Sequence, residues 1–199
     1  MIINSRDLFF VRKIQVNFYF KKNKIVQSLF FLENMLFKTY AVKNEVFLSN
    51  IKLKWLYDQF TKSGQIDKSL SNLKPLLDDK KIKKYLLNLL QDFSKVNNFS
   101  DKKNFIKTFK KFNSTFNKII MLTNEKFSTS CEFQILNFFY ISKINEIKKY
   151  KEILFKTKKT VDIAESVFVE FFFKKCDFNL TKVSKFQYLF NLLKELIKR

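Results

Sequence analysis

Apolar residues recur at helical spacing along most of the chain. Over residues 24–38, Ile25, Leu29, Leu32, Met35 and Leu36 fall three or four apart, which predicts an amphipathic helix. A second helix is expected over residues 45–61, with Leu53, Leu56, Tyr57 and Phe60 on one face. Lys62-Ser63-Gly64 follows as its stop, with Gly64 suited to the left-handed position after a last turn. A short helix fits residues 66–73, before Pro75. Asp78 and Asp79 offer caps for the next helix, to about Phe93, where Ile82, Tyr85, Leu86, Leu89, Leu90 and Phe93 form one stripe. Residues 101–122 carry another strong stripe: Phe105, Phe109, Phe112, Phe116, Ile119 and Ile120. Residues 131–155 read as helix. Asn179 or Thr181 offers a cap for a last helix, with Phe186, Leu189, Phe190, Leu193, Leu196 and Ile197 in line.

Two segments break the helical rhythm. Over residues 12–20, Ile14, Val16, Phe18 and Phe20 alternate with Lys13, Gln15 and Asn17, which is strand periodicity. Residues 161–173 fit both patterns: Val167, Val169, Phe171 and Phe173 alternate, while Ala164, Val167, Phe168 and Phe171 share a helix face. The expected fold class is mainly α, a helical domain with a minor β contribution near the N-terminus. No repeat or Pro/Gly/Ser linker divides the chain, so one domain is expected over 1–199, with 1–22 as a candidate N-terminal extension.

Composition narrows the chemistry. The 199 residues include 36 Lys, 27 Phe and 18 Asn, but one Gly, one Pro, two Ala and no His. An average chain of this length carries roughly 14 Gly and about 10 Pro. One glycine excludes a Gly-rich phosphate loop. Without His there is no His triad, proton shuttle or His metal ligand. Two cysteines build neither a zinc site nor a disulfide framework; Cys131 and Cys176 read as buried thiols in preference to a pair. The remaining acid–base candidates are Asp78 with Asp79 and Glu165 with Glu170, and the aspartates are better explained as caps. No enzyme, cofactor or metal site is expected. Nor is a membrane span, because the longest uncharged apolar stretch, residues 133–142, is well short of about 20 residues. The first residues resemble neither a signal peptide nor a transit peptide.

The net charge is +21. Lys, Asn, Phe and Ile have A- and T-rich codons, so part of the lysine excess reflects an AT-rich gene. Asn is as AT-favoured as Lys yet half as frequent, which leaves charge to be explained by function. The excess is spread along the chain, at +6 over 1–60, +7 over 78–126, +5 over 143–160 and +4 over 181–199. On the helix of residues 101–122, Lys103, Lys107, Lys110 and Ser114 lie about 200° around the axis from the phenylalanines. Such a ladder of ammonium groups can follow a phosphate backbone and release counterions. Further basic clusters are Lys21, Lys22 and Lys24; Lys80, Lys81, Lys83 and Lys84; Lys148, Lys149 and Lys151; and Lys156, Lys158 and Lys159. Lysine outnumbers arginine twelve to one, which favours backbone neutralisation over bidentate base reading. Phe9, Phe10 and Trp55 are candidates to stack on unpaired bases.

In composition and size the whole chain resembles organelle-encoded, divergent mitochondrial ribosomal proteins of the protist type. Residues 50–75, with Leu53-Lys54-Trp55-Leu56-Tyr57-Asp58-Gln59-Phe60, Lys62-Ser63-Gly64, Ser69-Leu70 and Asn72-Leu73-Lys74-Pro75, look like the first helix and turn of the seventh small-subunit head protein. The Gly- and Arg-rich hairpin that should follow is missing. The resemblance implies a structural constituent of the mitochondrial ribosome in the mitochondrial matrix. It would bind ribosomal RNA through Lys-rich helix faces and neighbouring ribosomal proteins through aromatic surface, with no small-molecule substrate. The alternative is a peripheral non-catalytic subunit of a mitochondrial respiratory or ATP synthase complex. That alternative predicts a large apolar face left over once the core is filled.

Overall fold

The computed structural model describes residues 8–40, 46–62, 66–96, 101–144, 146–151, 162–177 and 179–198. Among them the chain forms nine α-helices: α1 (Phe10–Phe18), α2 (Lys24–Thr39), α3 (Val46–Thr61), α4 (Lys74–Leu77), α5 (Lys80–Phe93), α6 (Lys102–Met121), α7 (Cys131–Ser142), α8 (Ile163–Lys175) and α9 (Lys185–Ile197). Short 3-10 turns lie at Lys68–Leu73, Ile147–Tyr150 and Leu180–Lys182. No helix among the described residues is long and apolar enough to cross a membrane.

Side-chain caps start six of the helices among the described residues, including α2, where Asn23 accepts from the Val26 backbone N–H; α1 and α4 have none. Asp79 accepts from the backbone N–H groups of Lys81 and Ile82, and Asp101 from that of Asn104. Ser130 starts α7, Asp162 starts α8 and Ser184 starts α9 in the same way. The expected caps at Asn179 or Thr181 are corrected by Ser184; Asn179 instead accepts from Thr181 at the 3-10 turn. Among the described residues, three that are not glycine take the left-handed conformation, Asn124, Lys143 and Asp177. At Lys143 this ends α7 at Ser142, well before the expected stop at 155, at a cost of roughly 1 kcal/mol that glycine would have avoided. The proposed stop at Gly64 falls outside the described residues.

The helices sort into inner and outer ones. α2 and α7 bury residues on every side, including Leu29, Phe30, Leu32, Leu36 and Phe37 on α2 and the run from Phe133 to Phe139 on α7. α5 and α6 pack against each other, each burying one stripe and keeping its lysines outside. Phe37 stands among Phe93, Phe109, Phe112 and Phe138, with ring centroids 5.4–6.0 Å apart. Such aromatic pairs each add about 0.5–1.5 kcal/mol beyond the area they bury.

The expected β contribution near the N-terminus is absent among the described residues, and 10–18 is helix. The reason lies in two polar residues. Arg12 and Gln15 are buried beside Val11 and Val16, so the inward face has helical spacing. A strand would place Gln15 at the surface and Phe18 inside, whereas Gln15 is buried and Phe18 is exposed. Residues 163–175 are likewise helix, with Glu165 buried among Ala164, Val167, Phe168, Phe171 and Phe172.

Candidate functional site

Three features stand out: a sealed charge cluster, a set of lysine faces and an uncovered apolar stripe.

The cluster centres on Arg12, which is 1 % exposed. All five of its N–H donors are used. Nε and Nη2 donate to the two carboxylate oxygens of Glu33 at 2.7 and 2.9 Å. Nη1 donates to Glu165 and Gln15, both at 2.7 Å, and Nη2 also to Thr129 Oγ1 at 3.0 Å. Glu165 further accepts from the Thr129 hydroxyl and the Ser130 backbone N–H. Glu33 further accepts from Gln134 and Asn137. The guanidinium also lies over the rings of Phe30 and Phe133, 4.2 and 4.7 Å from their centroids. One residue thus ties α1, α2, α8 and the segment before α7 together.

Burial opposes the charge of Arg12, but Glu33 and Glu165 outweigh it and hold its pKa above the ordinary value. Burial pushes Glu165 up to about 7 against the pull of Arg12, and Asp162 adds to the rise. A carboxyl poised there resembles a general acid–base group. It is fully enclosed, however, and every oxygen already accepts hydrogen bonds, so the cluster clamps helices and offers nothing to a substrate. The other candidate, Glu170, is exposed and pairs with Lys174 on its own helix. Both cysteines are free thiols, and burial pushes their pKa up, Cys131 to about 12 and Cys176 to about 11. Thiols so raised are poor nucleophiles. Among the described residues no group of three or more acidic, Cys or His side chains is arranged to hold a metal.

The lysine faces are open. α6 carries Lys102, Lys103, Lys107, Lys110, Lys111 and Lys118 and no acidic residue. Lys103, Lys107, Lys110 and Ser114 are exposed opposite buried Phe105, Phe109, Phe112 and Phe116, and with Ile106 and Lys111 they line a shallow concavity of about 560 Å³. Lys80, Lys81 and Lys84 are exposed on α5, and Lys83 is half-buried at a concavity it shares with Lys62, Lys68 and Lys74. Among the described residues, no lysine of α5 or α6 forms an ion pair. Lys21, Lys22 and Lys24 are exposed around the α1–α2 turn and line a further concavity. Lys148, Lys149 and Lys151 are exposed, with Lys149 paired to Glu146. Lys156, Lys158 and Lys159 fall outside the described residues. The lysine sets therefore lie on several elements, with no single concavity uniting them.

The stacking candidates change. Phe9 is buried against Phe133, Tyr140 and Phe168, and Phe10 is half-buried against Phe168 and Tyr188, so both belong to the core. Trp55 is exposed. Phe18 and Tyr19 also reach solvent, at a concavity lined by Lys21, Lys22 and Lys24; a strand over 12–20 would have turned Phe18 inward with Ile14 and Val16.

The third feature is α9. Only Tyr188 and Leu192 are buried on it, and Tyr188 anchors it through a hydrogen bond to the Ala164 carbonyl. Phe186, Leu189, Phe190, Leu193, Leu196 and Ile197 are all exposed, Phe186 by 79 %. At about 100° per residue their stripe is centred about 120° from the anchoring pair. Together they leave on the order of 600 Å² of apolar surface uncovered, against about 800 Å² for one side of a standard interface.

Comparison with known protein families, with curated proteins and with solved structures finds no match to this chain.

Proposed function

We propose that the protein is a structural constituent of the mitochondrial ribosome that binds ribosomal RNA through its lysine-rich helix faces. The observation that carries this is α6: six ammonium groups, no acidic residue and no ion pair on a helix whose other face is fully packed. Unpaired charge of this density repels itself in a free protein and is relieved by a polyanion. The spread of exposed lysines over α5, α6 and the α1–α2 turn suits a protein embedded in folded RNA. Lysine ammonium groups neutralise phosphates without reading bases. No catalytic role is assigned, since among the described residues the one carboxyl with a strongly raised pKa is enclosed.

A second reading is favoured by α9. A peripheral subunit of a respiratory or ATP synthase complex would present an apolar face to its partners, and α9 has one. A ribosomal protein can use the same stripe against a neighbouring protein, so the stripe alone does not reverse the preference. Sedimentation of the native protein at low and high salt separates the two. The ribosomal reading expects comigration with ribosomal subunits and release by high salt. Comigration with respiratory complexes, insensitive to salt, would replace it. Changing Lys103, Lys107 and Lys110 together to Glu is expected to leave folding intact and abolish incorporation; unchanged incorporation would remove α6 from the RNA contact.

A further inference from the structure

The α1–α2 turn brings exposed aromatic rings and lysines together at one concavity. Phe18 is the last residue of α1 and is 79 % exposed, and Tyr19 beside it is 50 % exposed. They line a concavity of about 690 Å³ together with Lys21, Lys22 and Lys24. Two open aromatic rings thus stand next to three ammonium groups.

The turn is held in place from within. Phe20 points inward and packs edge-on against Phe30 and Phe127, at 5.7 and 5.0 Å between centroids. The Gln27 side-chain amide donates to the Phe20 and Lys21 carbonyls at 2.7 and 2.9 Å. Asn23 caps α2 through its side-chain oxygen and donates through its amide to Glu125 at 2.7 Å. With the backbone fixed on both sides of Tyr19, the turn keeps its course in advance of any ligand, which lowers the backbone entropy cost of binding. Glu125 is the one carboxylate lining the concavity, so the three lysines leave it with positive charge to spare.

We infer that this concavity is a binding site for unpaired nucleotides of RNA, with bases stacked on Phe18 and Tyr19 and phosphates held by Lys21, Lys22 and Lys24. The inference rests on the RNA-binding reading and refines it. A duplex hides its base faces and gives the rings nothing to stack on, whereas the α6 ladder serves duplex and single strand alike. Single strands present both a π-face and a phosphate at each step, which is the chemistry this concavity matches. A bilayer would meet a convex apolar surface better than a concavity set between lysines.

The test measures binding of the full chain at low salt to a labelled uridine oligomer of about ten nucleotides and to an RNA duplex of the same length. Changing Phe18 and Tyr19 together to Ala should weaken single-strand binding about tenfold or more and leave duplex binding within about twofold. Changing both to Trp should restore single-strand binding. Because the rings are exposed, the alanine variant should melt with the parent protein. If the alanine variant binds the single strand as tightly as the parent, and Lys103, Lys107 and Lys110 to Gln removes both activities, the site is overturned while the RNA reading stands. If the parent binds neither RNA, the RNA reading falls and the site with it. If the alanine variant instead loses binding to phosphatidylserine–phosphatidylcholine vesicles, and the parent does not prefer single strand, the concavity is a membrane contact and the inference is wrong.

Discussion

Arg12 and the lysines of α6 carry the same charge in opposite circumstances. Arg12 is enclosed, its five donors all satisfied by Glu33, Glu165, Gln15 and Thr129. The α6 lysines are in solvent with no ion pair. A gene drifting towards A and T can write lysine on a surface at little cost to the fold, because an ammonium on a flexible stem needs no fixed partner. It cannot do so at position 12. A planar fork that reaches two carboxylates and a hydroxyl at once has no lysine equivalent. The interior therefore shows what the fold requires, and the surface shows what a partner and the gene's composition together allow.

The largest expected effect tests that contrast directly. Arg12→Lys keeps the charge but leaves several acceptors on Glu33 and Glu165 unpaired in a sealed site. It should destabilise the protein by about 3–5 kcal/mol in urea unfolding, as breaking a buried pair does. Loss of less than about 1 kcal/mol would mean that the cluster needs only a positive charge, and the contrast with the surface would fail.

Next in size is the pH dependence of the same cluster. Burial raises the pKa of the Glu165 carboxyl in the folded protein from an ordinary 4.5 to about 7. Between those values the folded state holds more protons than the unfolded one, so this group's contribution to stability falls as pH rises through that window. The full difference amounts to about 3 kcal/mol lost between mildly acid and mildly alkaline conditions. Urea midpoints across this range should fall with rising pH in the parent protein. Glu165→Gln should flatten that part of the profile. A flat parental profile would show Glu165 ionised throughout, with Arg12 compensating its burial in full.

The same contrast explains which parts of the molecule could be read from the sequence. α5 and α6 were legible because their buried stripes are almost wholly apolar and periodic, and Asp79 and Asp101 mark their starts; α2 and α3 were legible because enough apolar residues recur at helical spacing, although α2 also buries Gln27, Glu33 and Asn34. α1 was not, because half of its buried face is Arg12 and Gln15, and a pattern of apolar against polar residues sends both outward. α8 was ambiguous for a related reason: it buries Glu165 and is apolar on most sides, so no single period dominates. Periodicity placed the α9 stripe on one face but could not say that the face has no cover, since cover depends on which helices arrive there. The exposed lysines were legible as surface. A signal for the buried cluster was present too: Arg12 is one of three arginines beside 36 lysines, a rarity that suits a position needing a fork of donors.

The smallest expected change in stability comes from the surface side. Lys103, Lys107 and Lys110 changed together to Gln remove three exposed charges without touching the packed face of α6. Unfolding free energy should stay within about 0.5 kcal/mol of the parent, or rise slightly as self-repulsion within a chain of +21 is relieved. The effect should appear in RNA binding instead. The slope of log affinity against log salt should shrink by about two to three, one counterion term for each lost phosphate contact. Destabilisation by several kcal/mol would mean that these lysines, like Arg12, hold the fold. An unchanged salt slope would mean that they face solvent alone, and the positive charge that matters for RNA would have to lie elsewhere, at the α1–α2 turn first.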